Sequence, residues 1–368
     1  MNSTLENAAE EKNRISFPTI QIDLKKKGRY HTVRLPKEVT EELAEDVGMH
    51  ISDGYMGVNK GTSLIQYSGH AIDDFPYYTF RFVPLLKKLF GTSRIEYRGV
   101  KGEKSLNITI RSKQLGFFKH KVLGLPEGKK RNIIIPNYFL KDLRIIRAVL
   151  RGLFDRDGSI TFKSKDGLAH TYPVMSYSSI SQELMRQLQD LLRKLGFQVP
   201  NKLYDKKDGT FILSMNGDTN YEKWMCTIGF NNPKHLTKVL LYEMLGMVPP
   251  NLDLVDRVKL VRGDIKLSTI YPVKNLRANN NRITEKKVLQ QLAHGPNYIS
   301  ELGRLIQLEK YCASKALRRL LRMGLVERDR ARNKFSKKYY GITSWGVNKL
   351  HRVKRIIKRF REEFNLAV

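Results

Sequence analysis

The nine residues Leu150-Arg151-Gly152-Leu153-Phe154-Asp155-Arg156-Asp157-Gly158 form an apolar helical pattern that ends in an acidic residue and a glycine. A looser copy lies upstream, where Gly48 and Asp53 take the places of Gly152 and Asp157. Glycine inside a helix costs about 1 kcal/mol relative to alanine, so its presence in both copies needs a reason. Close approach of two helix backbones supplies one. The pattern therefore predicts two helices packed side by side, with both carboxylates at one end.

The spacing between the two copies recurs elsewhere in the chain. Asp53 and Asp157 are 104 positions apart, and residues 123–129 resemble residues 228–234 at an offset of 105. Residues 85–89 likewise recur at an offset of 106. Three landmarks with nearly the same offset predict a tandem duplication.

At these residues the chain resembles the LAGLIDADG homing endonucleases in their single-chain, two-motif form. The second copy matches the nine-residue signature at six positions, has Phe154 in the isoleucine place and departs from it at Arg151 and Arg156. The resemblance covers about residues 36–246. It implies an α+β fold made of two αββαββα repeats related by a pseudo-twofold axis, and a monomer in which the duplication replaces a dimer.

The segment after the second repeat has a different pattern. An asparagine-rich linker over residues 275–281 is followed by three short helices, two strands joined by a basic loop, and a last basic helix, which resembles a winged helix-turn-helix. We therefore predict four domains: an N-terminal extension with short strands (1–35), a first LAGLIDADG half (36–145), a second half (146–274) and a winged-helix domain (275–368).

Composition indicates a polyanionic partner. The 368 residues include 67 Lys and Arg against 36 Asp and Glu, which gives a net charge of +31. Residues 275–368 carry 23 basic and 7 acidic side chains, or +16, so the excess is spread over the whole chain. Such an excess favours nucleic acid over a membrane surface, and the family resemblance implies double-stranded DNA.

Cysteine usage and hydropathy indicate the cellular compartment of the protein. The two cysteines, Cys226 and Cys312, are far apart in predicted helices, so we expect neither a disulfide nor a zinc site. No apolar run approaches the length of a membrane span. We expect a cytoplasmic protein associated with the nucleoid.

The converging carboxylates suggest a metal-dependent reaction. Two carboxylates without a His or Cys cluster suit a hard cation such as Mg²⁺ or another divalent ion, which activates water for phosphodiester hydrolysis. The family resemblance implies that Asp53 and Asp157 are catalytic metal ligands. It also implies that the duplicated lysines, Lys129 and Lys234, orient water or offset charge, with Lys130 as the alternative to Lys129.

Other interpretations of these residues remain open. Each Asp-Gly pair could simply stop a helix. Asp46 and His50 stand where the family has apolar residues, and a His there is more often a hydrogen-bonded core residue than a ligand. Arg156 stands where the family has a small residue, and it could pair with Asp53 or Asp157 in place of a metal. Cleavage would then be lost.

The C-terminal segment has a polar helix face and a basic loop suited to DNA. Such a face fits the major groove, and a basic wing fits phosphates. The predicted DNA-binding residues are Ser314, Lys315, Arg318 and Arg322 on the third helix, and Arg328, Arg330, Arg332 and Lys334 on the wing. The alternative is that this segment serves as a surface for another protein.

These patterns lead to one functional hypothesis and two alternatives. The first is a free-standing, Mg-dependent LAGLIDADG DNA endonuclease, a hydrolase that binds a long duplex site. The second is a transcription regulator that keeps the scaffold and has lost cleavage, and the third is an RNA-binding maturase.

Overall fold

The computed structural model describes residues 33–59, 62–92, 94–99, 104–128, 130–165, 168–270, 280–334 and 337–364. Most of the predicted N-terminal extension, most of the predicted linker and Lys129 lie outside these residues. The chain divides into two compact units: residues 1–159, 176–213 and 230–232 form the first, and residues 160–175, 214–229 and 233–368 form the second.

The first motif helix, α1, spans Glu41–Asp53. Thr40 is its N-cap, and the Thr40 hydroxyl accepts a hydrogen bond from the Leu43 N–H at 3.2 Å. Two glutamates in the first turn favour the same start, because acidic side chains stabilise a helix N-terminus. The first helix therefore begins at Glu41, five residues after the first residue of the predicted first half.

The rest of the first repeat alternates hairpins and helices. The antiparallel sheet has the strand order β1-β2-β4-β3 and buries alternate apolar side chains such as Ile65 and Tyr67. Its elements are β1 (Gly54–Asn59), β2 (Thr62–His70), helix α2 (Phe75–Tyr77, a π-helical turn Tyr78–Phe82, and Val83–Phe90), β3 (Glu96–Gly99), β4 (Ser105–Arg111) and helix α3 (Lys113–Phe117, with a π-helical turn Phe118–Val122).

The second repeat follows the same order. Its first helix, α4, contains the quoted motif, and its four-stranded sheet has the order β5-β6-β8-β7. Its elements are α4 (Leu143–Arg156), β5 (Ser159–Lys165), β6 (Leu168–Ser179), α5 (Gln182–Lys194), β7 (Tyr204–Asp205), β8 (Phe211–Asn216) and α6 (Gly217–Thr227). The matching order of helices and strands in the two repeats confirms the predicted α+β class.

Helices α7 (Pro233–Leu245) and α8 (Leu254–Arg262) follow and were not expected from the sequence. Polar residues are buried among the apolar ones, His235 and Thr237 on α7 and Arg257 on α8, so these helices do not show the one-sided apolar pattern by which an amphipathic helix is recognised.

The C-terminal segment contains four helices and a three-stranded sheet of order β10-β11-β9. A separate apolar core, including Leu289, Leu302, Leu317 and Leu320, lies between them. The elements are α9 (Asn280–Leu292), β9 (Asn297–Tyr298), α10 (Ile299–Leu305), α11 (Lys310–Arg322), β10 (Val326–Lys334), β11 (Lys337–Ile342) and α12 (Ser344–Phe364). Among the described helices, none is both long and apolar enough to cross a bilayer.

The two motif helices touch through their backbones at Gly48 and Gly152. A Cβ atom added to Gly48 would clash with the Val149 carbonyl oxygen and lie 2.9 Å from the Leu153 nitrogen. A Cβ added to Gly152 would clash with the Glu45 carbonyl oxygen. Because these neighbours are backbone atoms, no side chain can move aside, and only glycine permits this crossing.

Replacing Gly48 by alanine should therefore destabilise the protein. We expect the free energy of unfolding in urea to fall by at least about 2 kcal/mol, since overpacking against backbone cannot relax. Gly99→Ala is the control, because its added methyl group would lie 3.9 Å from the Ser105 carbonyl oxygen, an ordinary van der Waals contact. Equal stability losses in the two variants would contradict the close crossing.

Candidate functional site

The ends of α1 and α4 bring two acidic side chains together. Asp53 is the last residue of α1, and Asp157 is the C-cap of α4. The two carboxyl groups lie near enough to each other for the charge of Asp53 to act on Asp157. The structure therefore brings together the two carboxylates that the sequence pattern singled out.

The pKa of Asp157 is raised to about 7. Desolvation of the carboxyl group is the largest cause, and the neighbouring Asp53 carboxylate raises the pKa further. The positive charges of Arg156 and Lys130 lower it. The residue itself is exposed, so its proton can exchange with solvent.

Arg156 occupies the space beside these carboxylates. Its side chain is 2% exposed and forms an ion pair with Asp53 and a second one, of 2.9 Å, with Asp74. The guanidinium group also donates a hydrogen bond to the Ser68 carbonyl oxygen and lies 5.0 Å from the Tyr78 ring centroid. Arg156 is therefore held on several sides by groups that favour a cation at this position.

Lys130 brings a second cation to the end of α1. Its Nζ atom donates to the carbonyl oxygens of His50, Ile51 and Ser52 at 2.8, 3.0 and 2.6 Å. A helix leaves its last backbone carbonyls short of partners. The His50 oxygen also accepts from the Gly54 N–H, so Lys130 adds a second donor to it. Burial lowers the pKa of Lys130 to about 8, although the charges of Asp157 and Asp53 act to raise it.

Two asparagines fix the other acidic residue of the second motif. Asp155 is fully buried, and its carboxylate accepts hydrogen bonds from the backbone N–H groups of Asn231 and Asn232 at 3.0–3.1 Å. Burial and the charge of Glu45 raise the pKa of Asp155 to about 7, although the hydrogen bonds from the two backbone N–H groups lower it. Asn232 also donates to Asp74 at 3.3 Å, which links the Asp155 side chain to the Arg156 pair.

Several sequence-based expectations for this region need correction. His50 is fully buried, but neither ring nitrogen has a hydrogen-bond partner among the described residues, so the expected hydrogen-bonded core histidine is wrong. Asp46, also in an apolar place of the motif, pairs with the buried Lys119 and accepts from the Tyr67 hydroxyl at 2.6 Å. Its charge is thus compensated within the first repeat.

The other predicted site residues lie elsewhere or outside the described chain. Lys129 is outside it, and the alternative, Lys130, takes the position at α1. Lys234 lies in the first turn of α7, in the second compact unit. On α11, Lys315, Arg318 and Arg322 are exposed and Ser314 is half-buried. Arg328 is exposed on β10, and the same strand includes Arg330, Arg332 and Lys334.

The arrangement does not fit a divalent cation between Asp53 and Asp157. The guanidinium of Arg156 already neutralises Asp53, and the ammonium of Lys130 lies at the same helix end. Among the described residues, no three His, Cys, Asp or Glu side chains are grouped so that they could hold a metal ion. Arg156 and Lys130 therefore lie beside the two carboxylates at which the sequence predicts a Mg²⁺ site, and that site stays a prediction.

Comparisons with known proteins agree with the motif. Residues 144–225 match the family model described as a LAGLIDADG-like domain. A comparison with curated proteins gives no match.

Three similar solved structures have low sequence identity to this chain. They are mesophilic variants of the homing endonuclease I-DmoI (19% identity, TM-score 0.39, 52% of this chain and 96% of that one), I-SmaMI bound to an uncleaved DNA target with calcium ions (11%, 0.38, 60% and 98%), and full-length DUF199/WhiA from Thermatoga maritima (15%, 0.35, 77% and 90%).

The raised pKa of Asp157 predicts a pH effect that can be measured at this residue. In a carboxyl ¹³C NMR titration we expect Asp157 to titrate near pH 7, and Asp53→Asn should move its midpoint downward by removing the neighbouring charge. Because the folded-state pKa is raised from 3.8, this group lowers the free energy of unfolding as pH rises from about 4 to about 7. Asp208→Asn, in an exposed turn, is the control. A midpoint near 4 in the unmodified protein would contradict the effect of burial and of the Asp53 charge on Asp157.

Proposed function

We propose, on the premise that residues 144–225 are a LAGLIDADG-like domain, that this chain binds double-stranded DNA sequence-specifically and does not cut it. A protein of this kind serves as a transcription regulator. The observation that carries the proposal is the pairing of Arg156 with both Asp53 and Asp74.

Separating Arg156 from Asp53 would cost free energy. Removing one partner from a buried ion pair costs about 3–5 kcal/mol, because the other charge is left uncompensated. Arg156 is buried and Asp74 is nearly so, while Asp53 is 29% exposed. A divalent cation at Asp53 would have to displace a guanidinium group that is already positioned and would also be repelled by it. The pair therefore opposes the metal-dependent reaction.

DNA binding is supported by charge and by the exposed face of α11. The net charge of +31 favours phosphate contacts, whose counterion release provides sequence-independent affinity. Lys315, Arg318 and Arg322 point to solvent from a helix that precedes a two-stranded basic hairpin. This arrangement supports the predicted winged helix-turn-helix, in which such a helix reads base edges.

An endonuclease dependent on Mg²⁺ or another divalent cation is the second candidate. It is favoured by the position of Asp53 and Asp157 at the ends of the two motif helices, where the charge of one carboxylate acts on the other. This candidate requires Arg156 to leave Asp53 when DNA is bound.

A selection experiment separates the two candidates. The full-length protein is incubated with a random duplex library and Mg²⁺ or Mn²⁺, and bound fragments and new DNA ends are counted separately. We expect enrichment of bound sequences without new ends. Cutting that is abolished by Asp157→Asn and retained by Asp208→Asn would establish the endonuclease instead, and absence of any binding would reject both.

Substitutions on α11 test DNA reading by the C-terminal segment. Arg318→Ala should weaken binding by about 1–3 kcal/mol and relax the preference at one base step, if the arginine contacts guanine with both nitrogens. Lys315→Ala should reduce the salt slope of log K by about 1, as for a phosphate contact. Lys194→Ala, which removes one exposed charge from α5, is the control. Unchanged affinity and slope in both α11 variants would indicate a protein-binding surface.

A further inference from the structure

Eight charged side chains form a buried cluster in the second compact unit. Four are acidic and four are basic, so their formal charges cancel. This charge cluster consists of Asp218, Glu222, Glu243, Glu285, Arg282, Arg319, Lys349 and Arg352. Six of the eight side chains are at most 8% exposed, and only Asp218 and Arg319, at 24% and 21%, reach solvent.

The cluster connects the second LAGLIDADG repeat to the C-terminal segment. Glu222 lies on α6, and it pairs with Arg282 of α9 and with Lys349 and Arg352 of α12. Burial opposes ionisation of Glu222, but the three cations together lower its pKa. Glu243 of α7 binds the same two α12 residues, at 3.6 Å and 3.2 Å. Every acidic residue on α6 and α7 in this cluster thus has its cationic partners in the C-terminal segment.

Helix α11 enters the same cluster through Arg319. Its guanidinium group pairs with Asp218 of α6 at 2.7 Å and with Glu285 of α9 at 2.6 Å. The neighbouring residues Lys315, Arg318 and Arg322 remain exposed. One side of α11 is therefore docked while the other side is available to a ligand.

Aromatic contacts extend the connection to the strands of the second sheet. The Tyr242 hydroxyl donates to the Thr171 carbonyl oxygen of β6 at 3.0 Å and lies 2.8 Å from an Asp218 carboxylate oxygen. The Arg282 guanidinium lies 4.4 Å from the Tyr242 ring centroid, and the ring of Phe162, on β5, lies 4.5 Å from that of Tyr242. An unbroken chain of contacts therefore runs from β5 and β6 through α7 to α9, α11 and α12.

A buried charge cluster fixes position more strictly than an apolar interface does. Apolar side chains can slide while remaining in contact, whereas a displaced ion pair leaves charges buried without partners. Any swivelling of the C-terminal segment would uncover or unpair Glu222 and Glu243. For this reason the C-terminal segment is docked on the second repeat and does not swing as a tethered module.

We infer that the exposed side of α11 and the exposed residues of β5 recognise one composite DNA site whose two parts have a fixed spacing. This inference rests on the proposed DNA-binding function. The candidates on β5 are the exposed Thr161 and Lys163, which lie in the same compact unit as α11. Since the protein parts cannot shift, the DNA parts cannot be moved apart without loss of one set of contacts.

The docking itself is tested without DNA. Spin labels are attached to Lys163→Cys and Lys310→Cys in a background of Cys226→Ser and Cys312→Ser, and their distance distribution is measured by pulsed electron resonance. We expect a single narrow distribution, which Arg319→Ala broadens and Arg322→Ala, on the same helix, leaves unchanged. A broad or multiple distribution with Arg319 intact would overturn the inference. If Arg319→Ala does not fold, that first distribution still decides the question.

The fixed spacing is tested with DNA selected by the full-length protein. Inserting two base pairs between the two protected parts moves one by about 7 Å and rotates it by about 70°. We expect affinity to fall roughly tenfold or more, to the level of Arg318→Ala, because the α11 contacts are lost. Unchanged affinity would contradict the fixed register. Failure to select any DNA, together with a narrow spin-label distribution, would reject the DNA-binding function while leaving the docking intact.

Discussion

The backbone contact between Gly48 and Gly152 is the constraint from which the rest of the first compact unit follows. It brings α1 and α4 so close that the charge of Asp53 acts on the Asp157 carboxyl group at their common end. Two carboxylates in contact need compensating cations. Arg156 and Lys130 supply them, the first through ion pairs and the second while it caps α1. The electrostatics of the site are thus a consequence of helix packing.

Much of this arrangement could be predicted from the sequence, because repeated motifs carry information that single residues do not. Glycine inside two helices at equal spacing had one plausible cause, and the structure has the corresponding close crossing. The helix and strand order that the resemblance implies is present in both repeats. The deviations are local: α1 begins after its N-cap, Thr40, and buried polar residues such as His235 on α7 and Arg257 on α8 interrupt the apolar periodicity that predicts a helix.

The remaining features depend on contacts between residues far apart in the chain. Nothing near Asn231 and Asn232 indicates that their backbone N–H groups hold Asp155, and nothing near Asp74 indicates a bond to Arg156. The charge cluster could not be predicted from the sequence either, because its members lie far apart in the chain; Glu222 and Arg352 are 130 positions apart. Charged residues are usually exposed, so a sequence pattern assigns them to the surface unless a partner is known.

The proposed absence of DNA cleavage depends on Arg156 taking the place of a metal ion at Asp53. The most direct measurement is a crystal structure of the protein with its selected DNA and excess Mn²⁺, using anomalous scattering to locate the ion. If Arg156 replaces the metal ion, Arg156 stays paired with Asp53 and Asp74, and no anomalous peak lies between Asp53 and Asp157. A peak at that position, with Arg156 turned away, would contradict it and establish a metal-dependent site.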